Sequence, residues 1–304
     1  VIDIEVPEEL ATTQIKYNGE AGRAFIDALP GRAAEFLERW DLRPTGPSMY
    51  GMASLVLPVE RADGTRAALK LQLLDEESEG EPVGLRAWGG DGAVHLLDHD
   101  AATNTMLLER LDETRHLSSL DDPREATRIL ADLLARLTAL PAPPGLRTLD
   151  SIARRMLAAT PDAVRELPDD DRRLLLACAS QVRDVVDEPG DRLLHWDLHF
   201  DNILAADREP WLAIDPKPLA GDPGFDLMPA LDNLYDASDI LWRFDLLTDR
   251  LGLDRQRAAA WTLGRVLQNS LWSLEDDEFH DNDFQSRQLD IGRLLLDRRV
   301  TVRP

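Results

Sequence analysis

The chain has one cysteine, Cys178, so no internal disulfide can staple it. Cys178 closes the run Leu174-Leu175-Leu176-Ala177, which predicts a buried structural thiol rather than a nucleophile. No apolar run reaches the length of a membrane span. Residues 1–6 lack the basic flank and apolar core of a secretory signal, which predicts a cytoplasmic protein. Basic residues are in deficit, 34 against 57 acidic, for a formal net charge of −23. Nucleic acid is therefore excluded as the main partner, because phosphate neutralisation needs clustered Lys and Arg. Most of the acidic excess reads as solvated surface, and the field it sets up favours cations. There is no glycine-rich G-x-G-x-x-G loop, internal repeat or low-complexity tail.

What is present is a soluble, 304-residue chain, long enough for two lobes. Residues 5–42 have helical spacing, with a break expected at Pro30-Gly31. The period then changes. Residues 54–59 and 67–73 predict two strands, joined through Ala62-Asp63-Gly64-Thr65 by a tight type I′ turn. A short helix is expected to end near Trp88-Gly89-Gly90, followed by strands at 94–97 and 105–111. Beyond Leu111 the pattern is chiefly helical: 124–140, 169–187, 242–250, 254–274 and 284–299. This is an α+β layout, a small antiparallel-sheet part over 1–111 with a helical extension in front, then a mainly helical part over 112–304.

One run carries most of the chemistry. His195-Trp196-Asp197-Leu198-His199-Phe200-Asp201-Asn202 fits H-x-D-L-x-x-x-N, in which an Asp meets a hydroxyl nucleophile and an Asn holds a metal. Ile214-Asp215-Pro216 follows at the end of the next strand, where an Asp supplies a second metal contact. Phosphoryl transfer needs alignment, charge neutralisation and a proton acceptor near the attacking hydroxyl. Asp197 fits the last role, Asn202 and Asp215 fit a Mg²⁺ shared with phosphate oxygens, and His195 fits a brace for the loop. A polar turn followed by Asp-Pro is the bland alternative. The joint spacing and the flanking apolar strands favour the functional reading.

The sheet part would then hold a nucleotide. Lys70 sits in an otherwise apolar strand, where a lone ammonium is costly, so phosphate oxygens and a carboxylate are its expected partners. Glu81 is the preferred carboxylate, with Glu76, Glu77 and Glu79 as rivals. Amides near Ser48 in the segment 45–52 are placed to contact phosphates. Main-chain atoms of Glu109 and Leu111, at the passage to the helical part, are the expected hinge for the base.

Together these segments resemble the aminoglycoside phosphotransferase superfamily, within the protein-kinase-like fold. The narrower likeness is to its streptomycin 6-phosphotransferase and hydroxyurea kinase branch. It rests on Ala68-Leu69-Lys70-Leu71, residues 81–88, Met106-Leu107-Leu108-Glu109-Arg110-Leu111, residues 194–204 and residues 214–227. The resemblance implies a bilobal fold, ATP with Mg²⁺ as cofactors, and transfer to a hydroxyl of a small molecule, streptomycin or a related aminoglycoside. It also matches Asp226 to a position that supports the catalytic loop, with helix capping as the alternative. Two departures stand out. Trp196 replaces a Gly or Arg, and either narrows the space beside Asp197 or packs the loop. Pro216-Lys217 replaces the Phe-Gly that activation-loop switching uses, which speaks against a protein kinase.

A cationic acceptor calls for carboxylates and an aromatic wall. Asp232, Asn233, Trp272 and Glu275 are the candidates, with Asp236, Asn269, Asp276 and Asp277 in the same region. Hydroxyurea or an endogenous metabolite is the alternative acceptor. A catalytically silent nucleotide-binding module is the remaining alternative, against which the joint presence of Lys70, Asp197, Asn202 and Asp215 speaks. Oligomeric state has no signature in the sequence.

Overall fold

The computed structural model describes residues 4–276 and 283–301; Asp277 lies outside them. The chain divides into two compact units, one running to Asp112 and taking in Ala206–Arg208, the other comprising Glu113–Ala205 and continuing from Glu209.

The first unit begins with α1 (Glu8–Arg39), which continues through Pro30. The helix is interrupted instead at Gly19, whose φ of 54° and ψ of −124° suit a residue without a Cβ. The fold needs this kink because the turns on either side of it pack tightly. A Cβ on Gly22 would lie 2.0 Å from the Gln14 carbonyl oxygen. Gly22→Ala is therefore expected to destabilise the unit by about 1–3 kcal/mol, read as a lower thermal midpoint.

After α1 come β1 (Leu42–Pro44), β2 (Met49–Tyr50), β3 (Ser54–Arg61), β4 (Arg66–Gln72), α2 (Glu81–Trp88), β5 (Leu96–Asp100) and β6 (Thr105–Glu109). The strands form one antiparallel sheet in the order β1-β3-β4-β6-β5, with β2 also on β3. The β3–β4 turn differs from the expected type I′. Only Gly64 has positive φ (83°), and Arg61 N–H donates to Thr65 O while Gly64 N–H donates to Arg61 O. That is the pattern of a longer turn with a glycine bulge, in which Asp63 stays right-handed. Leu55, Leu57, Val59, Leu69 and Leu71 bury one continuous apolar core with Phe25, Leu29 and Phe36 of α1. Pro82 in the first turn of α2 and left-handed Gly89 after its last set that helix's length.

In the second unit, β7 (Asp112–His116), which enters this unit at Glu113, joins β10 (Ile203–Ala205) and β11 (Trp211–Ala213) in a small sheet. Strand β8 (Arg147–Thr148) pairs parallel, and β9 (Arg192–Leu194) antiparallel, with β12 (Leu219–Gly221). Around them lie α3 (Pro123–Leu137), α4 (Leu149–Ala163), α5 (Asp169–Arg183), α6 (Met228–Asp232), α7 (Ile240–Arg250), α8 (Arg255–Glu275) and α9 (Asp283–Thr301). Side-chain caps start several of them: Asp122 accepts from Arg124 N, Thr148 from Ser151 N and Asp254 from Arg257 N. Helix α8 is buried along nearly its whole length and forms the spine of this unit. No described helix is long and apolar enough to cross a membrane.

Cys178 is fully buried on α5, and burial pushes its thiol up to about 12. It should not react with a disulfide reagent in the folded protein, and should react once denaturant is added.

Candidate active site

In the first unit, β4 lies between β3 and β6 and carries Lys70 at its centre. Glu81, at the first position of α2, reaches back to it. Lys70 Nζ lies 2.7 and 2.8 Å from the two Glu81 oxygens, and Gln72 Nε2 donates to the same carboxylate at 2.8 Å. Both charges are almost fully buried. Such a pair is held by its hydrogen bonds and packing, since desolvation offsets much of the mutual attraction. Glu81, rather than Glu76, Glu77 or Glu79, is the carboxylate on Lys70.

The neighbouring segments are more committed than their sequence suggests. Ser48 Oγ donates to Glu5 O, and the Gly51 amide to Ser54 O. The Glu109 amide donates to His95 O. Arg208, which carried no signal in the sequence, fastens this region. Its guanidinium donates to the Glu109 carboxylate (2.8 Å), Gly90 O (2.7 Å) and Ala93 O (2.7 Å).

In the second unit the run after β9 is stitched to the run after β11. His195 is buried between them. Its Nε2–H donates to Ile214 O (3.1 Å) and its Nδ1 accepts from Asp197 N–H (3.3 Å), which fixes the tautomer. Lys217 N–H donates to His195 O, and Ile214 N–H to Asn202 O. Asn202 Nδ2 donates to Asp197 O (2.9 Å), which leaves its Oδ1 as the atom that can face a cation. Trp196 and Asp215 both adopt left-handed backbone, φ 68° and 56°. Non-glycine residues in this region persist where surrounding contacts enforce them, often at functional sites.

Asp226 is fully buried and accepts from His195 N–H at 2.8 Å. The capping role on this turn falls to Asp222, which accepts from Gly224 N. Burial pushes the Asp226 carboxyl up to about 7, against the His195 and Trp196 amides and the Arg265 guanidinium; burial also lowers His195 to about 4. The two act on stability with opposite sign. From pH 6.5 down to about 4 the unfolded chain takes up a His195 proton that the folded site refuses, so stability falls with acidification. Asp226 holds its proton in the folded state, so its contribution is complete below pH 3.8 and is lost as pH rises through 7. Between about pH 4 and 6.5 they offset. Asp226→Asn leaves His195 alone, so the variant's thermal midpoint should fall more steeply across that window than that of the unmutated protein.

Trp196 is 1% exposed and packs the loop instead of lining an open space beside Asp197. The Arg147 and Arg265 guanidiniums lie 4.3 and 4.5 Å from its ring centre, with Trp272 at 5.9 Å. The acceptor candidates are dispersed. Asn233 uses both ends of its amide on the catalytic loop, accepting from Phe200 N and donating to Asp201. Asp232 is ion-paired with Arg287 at 2.9 Å. Trp272 is 37% exposed. Glu275 ends α8 at the surface, followed by exposed Asp276, whereas Asn269 is buried and donates to Gln288. A feature the sequence left unread is the contact of Lys217 Nζ with Asp197 Oδ2 at 3.3 Å.

Among the described residues no cluster of three or more His, Cys, Asp or Glu forms a metal cage. One carboxylate (Asp215) and one amide oxygen (Asn202) are instead the sparse set that suits Mg²⁺ completed by phosphate oxygens and water. The buried Lys70–Glu81 pair likewise suits a nucleotide's phosphates.

A sheet lobe carrying a buried Lys–Glu pair and a helical lobe carrying this loop define a kinase-like, bilobal α+β protein. The aminoglycoside/hydroxyurea antibiotic resistance kinase family matches residues 39–277, and the chain belongs to it. The chain is 59% identical over 298 residues to a hydroxyurea phosphotransferase of Kitasatospora aureofaciens, covering 97% of this chain and 87% of that protein. It is 58% identical over 282 residues to a streptomycin 6-kinase of Streptomyces glaucescens, covering 90% and 92%. In fold it is similar to a choline/ethanolamine kinase family protein from Mesorhizobium loti, with TM-score 0.64 at 18% identity over 87% of this chain and 95% of that one. It is a small-molecule kinase that uses ATP and Mg²⁺ to phosphorylate a hydroxyl.

Proposed function

We propose that this kinase inactivates streptomycin or a closely related cationic aminoglycoside in the cytoplasm, with Asp197 as the residue that meets the acceptor hydroxyl. The observation that carries the site assignment is the stitched loop. His195 and Asn202 hold the main chain at Asp197 through hydrogen bonds of 3.3 and 2.9 Å, the 214–217 segment pins His195 and Asn202 in turn, and positioning of this kind is most of what phosphoryl transfer asks of a protein. In this reading residues 1–111 form the nucleotide lobe. Lys70, held by Glu81, contacts phosphate oxygens; main chain at Glu109 and Leu111 receives the base; and the turn at Ser48 covers the phosphates. Asn202 and Asp215 hold Mg²⁺, which when bound offsets phosphate charge. His195 and Asp226 hold the loop in shape, and Asp232, Asn233, Trp272 and Glu275 border the acceptor.

Hydroxyurea is the second reading, and one observation favours it. Asp232 is already paired with Arg287, and Asn233 is engaged at both ends. Two of the groups proposed for a cation are thus occupied, which suits a small neutral acceptor. ADP release measured with each compound separates the two. Streptomycin turnover with none on hydroxyurea supports the first reading, and the converse result supports the second. Turnover of neither would sink both.

A further inference from the structure

We propose that Lys217 is a further catalytic residue, its ammonium bridging Asp197 to the phosphoryl group in transit. The proposal rests on the reading of Asp197 as the residue that meets the acceptor hydroxyl. Lys217 Nζ lies 3.3 Å from Asp197 Oδ2. The Lys217 main chain is fixed: its N–H donates to His195 O, and buried Pro216 and Pro218 on either side restrict the backbone. The side chain is 37% exposed, so the ammonium is rooted in the loop yet accessible to a ligand.

Charge gives this contact its purpose. A part-exposed ion pair contributes about 0–1 kcal/mol to stability, too little to account for a cation on a functional carboxylate. A carboxylate that orients a hydroxyl toward a phosphoryl group faces like charge, and the repulsion is strongest where water is excluded. An ammonium between them turns that repulsion into two attractions. In the transfer, the acceptor oxygen forms its bond to the γ-phosphorus as the bond to the bridging oxygen breaks. The bridging oxygen leaves with its electron pair on ADP, and the acceptor's proton passes to Asp197. Charge spreads over the three equatorial oxygens of the phosphoryl group, and the Lys217 ammonium meets one of them.

The test is steady-state kinetics of the full chain and its Lys217→Met, Lys217→Arg and Asp197→Asn variants. Lys217→Met should lower kcat about 10²–10³-fold, the scale of losing one preorganised charge contact. KM for ATP and acceptor should stay within about threefold, because the contact is made in the transition state. Lys217→Arg should recover at least about tenfold of the loss, since it restores the charge but not the ammonium's geometry. Should the Met variant fail to fold by circular dichroism, Lys217→Gln carries the same expectation. A kcat within threefold of the unmutated chain, or a raised KM at unchanged kcat, overturns the proposal. Full activity of Asp197→Asn would overturn the underlying reading as well. An inactive Asp197→Asn beside an active Lys217→Met would overturn the Lys217 role alone.

Discussion

Asp197→Asn should lower kcat by about 10²–10⁴-fold, the range for removing a positioned proton acceptor, while the protein stays folded. The physical grounds lie in how little else depends on the carboxylate. The Asp197 main chain is held by His195 Nδ1, His199 N–H and Asn202 Nδ2, none of which touches the side chain. Its Oδ2 meets Lys217 in a part-exposed pair, whose loss costs at most about 1 kcal/mol. The amide of Asn is nearly isosteric and keeps an oxygen toward the hydroxyl, but it cannot take up the proton. Kinetics and a thermal scan on the same sample check both halves. A variant that loses activity together with its fold would leave the loss structural, and a variant with full activity would remove Asp197 from the chemistry.

The other large effect is thermodynamic. Glu81→Leu removes both carboxylate oxygens from the buried Lys70 ammonium and takes an acceptor from Gln72. Breaking a buried pair on one side costs about 3–5 kcal/mol. With a shift of about 2–4 °C per kcal/mol, the thermal midpoint should drop by roughly 6–20 °C. Replacing both partners, Lys70→Met with Glu81→Leu, removes the buried ammonium together with its carboxylate, so most of that stability should return. Activity should not return, because the double variant has no ammonium for the phosphates. A stable, inactive double variant would separate the pair's function from its structural cost. An active one would exclude Lys70 from nucleotide binding.

The parts of this molecule that could be read in advance are those whose physics is local. A change of period into short apolar runs marked β3 and β4, and a lysine inside an apolar strand is conspicuous because an unpaired buried ammonium is so costly. The spacing of His195, Asp197 and Asn202 is set within one loop. Helix α4 went unmarked, and in α1 the break was expected at Pro30. Proline within a helix reads as a breaker, whereas Gly19 looks innocuous until the contact between Gly22 and the Gln14 carbonyl is seen. The β3–β4 turn differed because Asp-Gly accommodates more than one turn type.

Non-local contacts stayed hidden for a different reason. Arg208 meets Glu109 across 99 positions of chain, and Arg147 and Arg265 close on Trp196 from β8 and α8. Residue order does not state which way a side chain points. Lys217 was in plain view beside Asp215, but its contact with Asp197 depends on His195 pinning the two segments together. The residues proposed to border the acceptor were least legible, because acidic residues on a chain of net charge −23 are common, and the pairing of Asp232 with Arg287 and of Asn233 with the catalytic loop exists only in three dimensions.

The γ-phosphoryl group of ATP should pass to an acceptor hydroxyl at Asp197. The most direct test is ³¹P NMR of streptomycin and, separately, hydroxyurea after incubation with Mg²⁺, ATP and either the unmutated chain or Asp197→Asn. A new phosphate-ester resonance should appear on one acceptor with the unmutated chain, and none with the variant over the same period. No ester on either compound would contradict the proposed acceptors, and an ester formed equally well by Asp197→Asn would contradict the site.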